Sequence, residues 1–164
     1  MKTERGGWRP LRREELRPEL IHDSYKSKRK LPEPTRCPDC GAVFHRGRWT
    51  WGTAPQDADE ERCPACHRIH DKFPAGYVSL GGPFFASHRE DVLNIARRRE
   101  AHERAEHPLK RIMAIKAEDG GVLITTTDAH LARDIGEAVQ SAYKGDLEYH
   151  YNDADNLLRV SWTR

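Results

Sequence analysis

The sequence predicts an α+β chain, and three observations carry that expectation. The four cysteines fall in two CxxC pairs, Cys37/Cys40 and Cys63/Cys66, separated by 22 residues. Ser87 and Glu90 form a capping box that opens a helical stretch ending before Pro108. Residues 109–164 then alternate in a β-β-α-β-β pattern.

The elements follow in chain order. Residues 1–36 carry 11 Lys/Arg against 6 Asp/Glu, a net +5. Pro10, Pro18, Pro32 and Pro34 interrupt any periodicity, and the apolar residues are isolated. This composition cannot bury enough apolar area to offset its ordering entropy, so a basic, largely disordered arm is expected. Residues 37–86 hold the cysteines. Between the pairs, "VFHRGRWTW" reads as a strand and "GTAPQDADEE" as a polar loop. After the second pair, "RIHDKFPAGYVSLGGPFF" offers two more short strands around Pro74–Gly76. Residues 87–108 form a linking helix. Val92, Leu93, Ile95 and Ala96 give its first half an apolar face, and "RRREAHERAEH" is charged all round, as in a segment that bridges units. In residues 109–164, "DGG" joins two strands as a hairpin signal, and Asp128 caps a helix from about Ala129 to Tyr143 that Gly145 ends. Leu131, Ile135 and Val139 recur at helical spacing and should face the sheet. "LEYHY" and "NLLRVSW" complete the unit around the turn "NDADN".

Two CxxC pairs at this separation suit one structural Zn2+ held by Cys37, Cys40, Cys63 and Cys66. Two intervening residues let both thiolates of a knuckle point inward, and four such ligands close a tetrahedron at about 2.3 Å. Two disulfides, a redox dithiol and an iron–sulfur cluster are the alternatives. A four-sulfur site leaves no open coordination position, so its role is structural. The fold reading is therefore a four-cysteine zinc ribbon, a linking helix and a small β-β-α-β-β unit. His67 and His70 follow the second pair as surface or outer-layer residues.

Charge points to an anionic partner for the arm. Lys26, Lys28, Arg29 and Lys30 are its densest run, and Arg36, Arg46 and Arg48 continue that charge into the ribbon. In a single strand Arg46 and Arg48 would share one face and Trp49 and Trp51 the other. The tryptophans then serve either as ribbon core or as stacking surfaces for unpaired bases. His130 and Arg133, on the first turns of the last helix, are interface candidates. There is no P-loop, HExxH or nucleophile elbow, so neither an enzyme nor a small-molecule substrate is expected. No run of 18 apolar residues exists and the N-terminal stretch lacks an apolar signal segment, so the expected location is cytoplasmic, without a membrane partner.

"CPDCGAVFHRGRW", "CPACHRIHDKFPAGYVSLGGPFFASHREDVLN" and "HPLKRIMAIKAEDGGVLITTTDAHLARDIGEAVQSAYKGDLEYHY" together resemble an uncharacterised bacterial family of small zinc-ribbon proteins. More distantly, the paired CxxC motifs and "DGGVLITTTDAHLARDIGEAV", with its Ala132–Arg133 pair, are similar to the large-ribosomal-subunit export adaptors of eukaryotes and archaea. This chain has one pair of CxxC motifs where those adaptors have more, and it lacks room for their remaining domains. The resemblance implies ribosome association. The expected function is non-enzymatic RNA binding, with RNA or the ribosome as partner. The alternative is a zinc-ribbon protein–protein adaptor that docks through residues 109–164.

Overall fold

The structure, a computed structural model, describes residues 9–11, 25–27, 29–152 and 157–164. It is α+β, with two sheets. The first described strand, β1 (Arg9–Leu11), belongs to the larger sheet.

The smaller sheet comprises β2 (Thr35–Arg36), β3 (Val43–His45), β4 (Arg48–Thr50) and β5 (Asp59–Glu60), in the order β4-β3-β2-β5. The expected single strand through "VFHRGRWTW" is instead a hairpin. Arg46 and Gly47 both have positive φ, 50° and 77°, the two-residue loop whose twist matches that of antiparallel strands. Arg46 therefore sits in the turn and shares no strand face with Arg48. The Glu33 carboxylate fixes this turn by accepting from the Arg46 N–H (3.1 Å) and the Gly47 N–H (2.8 Å). The end of the sequence-assigned arm is thus part of the fold: Leu31 is buried and β2 lies between β3 and β5. Most of the remaining arm, Lys28 included, lies outside the described residues.

The second cysteine pair opens α1 (Pro64–Asp71), where a strand was expected. Cys63 is its N-cap and its sulfur accepts from the Cys66 N–H. Pro64 occupies the first helical position, where its missing N–H costs nothing. Lys72 ends the helix in a left-handed conformation.

The larger sheet has the order β1-β9-β10-β6-β8-β7. Its members are β6 (Gly76–Gly81), β7 (Ile112–Glu118), β8 (Gly121–Thr126), β9 (Asp146–Asn152) and β10 (Leu157–Thr163), with β1 at one edge. β6 runs parallel to β10 and antiparallel to β8. This corrects the sequence boundary at residue 86, because a strand assigned to the ribbon lies inside the larger sheet. Residues 109–164 alone would lack it. The short α2 (Pro83–Ser87) follows β6, and α3 (Arg89–Glu106) follows α2. Ser87 is not the cap of α3. Its hydroxyl donates to Pro83 O as the last residue of α2, and His88 takes the N-cap position without a side-chain capping bond to α3.

α3 is likewise more than a linker. It packs beside α4 (Ala129–Tyr143), and the two share one core with the sheet. Val92, Leu93 and Ala96 from α3 meet Leu131, Ile135 and Val139 from α4. Val78 and Leu80 of β6 alternate inward, as do Val122 and Ile124 of β8. α4 starts and ends where the sequence placed it, capped by Asp128 accepting from the Leu131 N–H at 2.9 Å. Its close approach to β10 requires Gly136, where a Cβ would stand 2.5 Å from Val160 Cγ1. Trp162 is fully buried and its indole N–H donates to Lys144 O. Among the described residues, no helix is long and apolar enough to cross a membrane.

Candidate metal centre and adjoining cleft

The four cysteines converge as the spacing requires. In the first knuckle Gly41 N–H donates to Cys37 O at 2.9 Å and Cys37 N–H to Ala42 O at 2.8 Å, which turns Cys37 and Cys40 inward. In the second, the first turn of α1 does the same for Cys63 and Cys66. The Cys63 N–H donates to Cys37 Sγ at 3.3 Å and joins the two knuckles. All four sulfurs lie within 4.8 Å of one another. Cys40 Sγ and Cys63 Sγ are 3.8 Å apart, far beyond disulfide length. That separation equals the edge, about 3.8 Å, of a tetrahedron with bonds of about 2.3 Å. The set can hold one metal ion and its donor chemistry fits zinc. His67 and His70 stand outside the cluster, and His70 pairs with Asp71.

An arginine completes the centre. Arg111, immediately before β7, is 5% exposed. It donates from Nη1 to Cys66 Sγ (3.2 Å) and from Nη2 to Cys40 Sγ (3.1 Å), with Cys63 Sγ at 3.6 Å. Its Nε–H donates to Pro108 O (2.7 Å), and its backbone N–H donates to Thr127 Oγ1 (2.9 Å). The Trp51 ring lies beside the guanidinium, 5.9 Å from centroid to Cζ. The Trp51 indole N–H donates to Arg104 O at 2.6 Å, so this ring ties the ribbon to the last turn of α3.

Electrostatics account for the arginine. Burial pushes the Cys63 and Cys66 thiols up, and Arg111 pulls Cys66 part of the way back. Burial also raises Cys37, but donated N–H groups from Cys63, Cys40 and Asp39 outweigh it and leave Cys37 below its ordinary range. Burial opposes the charge on Arg111 too, yet the bonds to Cys66 and Cys40 hold it charged more firmly than usual. Four thiolates around one divalent cation carry a net −2, and the guanidinium offsets half of it.

The basic and aromatic candidates divide. Lys26, Arg29, Lys30, Arg48 and Trp49 line one cavity of about 470 Å³ between the ribbon and the segments before β7 and α4. Arg36 is spent on Glu60 (3.0 Å). Arg46 stays in the hairpin turn, and Lys28 is outside the described residues. Trp49 is half-buried against the cysteine core, with Phe44 edge-on at 5.5 Å, whereas Trp51 is 38% exposed and engaged as above. Away from the cleft wall, His130 is half-buried on α4 and Arg133 pairs with Asp134. Sequence reasoning missed Arg111, Lys110 and Glu33. Nothing in "HPLKRIMAIK" separates Arg111 from an ordinary basic residue at a strand start. No protein-family model matches the chain, and neither a curated protein nor a solved structure does.

Proposed function

We propose that this is a non-enzymatic RNA-binding protein whose ribbon is held by one structural zinc ion on Cys37, Cys40, Cys63 and Cys66. One observation carries the RNA reading. Lys26, Arg29, Lys30 and Arg48 border a single cleft, and none forms an ion pair among the described residues. Phosphate supplies the missing counter-charge. The resemblance to ribosomal-subunit adaptors directs the test to ribosomal RNA, and ribosome association is part of the proposal.

Filter binding across a salt series tests it. Replacing the four cations by serine flattens the slope of log affinity against log salt by roughly 3 units. Zinc content stays unchanged, because none of the four touches the sulfurs. Binding that is unmeasurable at low salt, or a slope unaltered by the substitutions, overturns the reading. An adaptor that docks through an apolar face of residues 109–164 predicts salt-insensitive capture that survives RNase. The large hydrophobics exposed among the described residues are Trp51, Ile69 and Phe73, all outside that span.

A further inference from the structure

We propose that the cleft beside the cysteine ribbon holds an unpaired nucleotide of single-stranded RNA, its base against Trp49 and its phosphates on Lys30 and Arg48. This rests on the RNA-binding reading and adds which part of the RNA is held and where. At about 470 Å³ the cleft lies within the range of pockets that enclose one small ligand. A duplex keeps its bases stacked and paired, so none can lie on an indole.

Three features of the wall select the chemistry. Trp49 packs against the cysteine core with Phe44 edge-on at 5.5 Å, and both rings border the cleft. A pre-positioned aromatic surface loses little entropy when a base stacks on it. The cations also differ in availability. Arg62 is committed to Asp39 at 2.6 Å and Lys110 to Glu103 at 3.1 Å, whereas Lys30 and Arg48 are exposed and form no ion pair among the described residues; the carboxylate near Lys30, Glu33, is taken up by the Arg46 and Gly47 N–H groups. Lastly, Glu61 and Asp128 stand in the same wall. They repel a ligand that is only an anion, such as free phosphate. A nucleotide presents amino and hydroxyl donors as well as phosphate, and so suits both signs of charge.

The wall comes from both parts of the molecule. β4 and the residues before β2 form one side, and Pro108, Lys110 and Asp128 form the other. The site therefore exists only while the ribbon is docked on the larger sheet.

Fluorescence anisotropy on the full-length, zinc-loaded protein tests the assignment. The probe is a labelled, non-self-complementary RNA of roughly 12 nucleotides, used alone and annealed to its complement. The single strand should bind about 10-fold tighter than the duplex at equal salt. Trp49→Ala should lower single-strand affinity by about 5- to 150-fold with no change in salt slope, since stacking is not ionic. Lys30→Ala and Arg48→Ala should each reduce the slope by about 0.7. Arg46→Ala, outside the cleft, should change neither quantity. Zinc content is measured for every variant. If Trp49→Ala loses zinc, Trp49→Leu replaces it, and the two exposed cations give an independent reading. Equal binding of single strand and duplex, with Trp49 variants like wild type, overturns the cleft assignment while RNA binding stands. No binding of either RNA overturns both.

Discussion

Around the sulfurs, the buried hydrophobic cluster consists of Cys37, Ala42, Cys63, Ala65 and Cys66. Beneath α3 and α4 it includes Trp162, Leu80, Leu93, Ile124, Leu131 and Ile135. Each large side chain of the second set contributes about 1.5–3 kcal/mol on burial, whereas two alanines contribute little. The larger sheet and its helices therefore hold their shape by apolar packing. The ribbon has a smaller reserve, Leu31, Val43 and the half-buried Trp49, and its shape depends more on what its sulfurs bind. Each region supplies what the other lacks. The sheet side contributes Arg111 to the sulfurs, and the ribbon contributes Trp51 to the end of α3.

The sharpest way to break this comparison is Cys63→Ser. Cys63 is a metal ligand candidate, the N-cap of α1 and the residue whose N–H joins the knuckles. Structural zinc contributes apparent free energies of about 10–16 kcal/mol in small zinc domains. We expect the variant to lose the zinc proposed for this site and the NMR dispersion of residues 37–71, while the core around Trp162 stays folded. Unchanged metal stoichiometry would show that Cys63 is not needed to hold the metal, and lost metal with retained dispersion would show that the ribbon stands without it.

The reciprocal change is Ile135→Asp. It removes a fully buried side chain and places an unpaired carboxylate among Leu131, Val139 and Val160. A cost of about 5 kcal/mol or more is expected, from lost burial and desolvated charge together. Thermal unfolding followed through Trp162 should collapse first, with zinc still at one per chain by elemental analysis. Simultaneous loss of zinc would mean that the two regions form one cooperative unit.

The same contrast explains what could be read from the sequence. The cysteine cluster was legible because its chemistry imposes a local spacing. α4 was legible because its periodicity, its cap at Asp128 and its stop at Gly145 all lie within one segment. β6 was not. "GYVSLG" alternates as any short strand does, and its parallel partner β10 lies far along the chain, with Gly76 opposite Leu158. Local pattern identified the strand but not the sheet it joins. α1 was hidden for a related reason: the second knuckle is also a helix start, and the cysteine that binds is the residue that caps. The expected pairing of Arg46 with Arg48 failed because two left-handed residues turn the chain there.

Arg111 marks where the two regions meet, and its replacement sharpens the comparison with the smallest expected effect. Its guanidinium reaches Cys40 from 71 residues away and bonds two sulfurs, with a third at 3.6 Å. Outer-layer partners of this kind typically shift metal affinity by about 10- to 100-fold. Arg111→Met keeps a long side chain beside Trp51 but removes charge and donors, so chelator competition should show zinc bound more weakly by that factor. Arg111→Lys keeps the charge without the fork that spans two sulfurs, and should fall between Met and wild type. The core around Ile135 does not involve the guanidinium, so its unfolding midpoint should move less than that of the ribbon. Were both midpoints to shift equally while zinc affinity held, Arg111 would be acting as a packing residue at the junction and not as the counter-charge of the sulfurs.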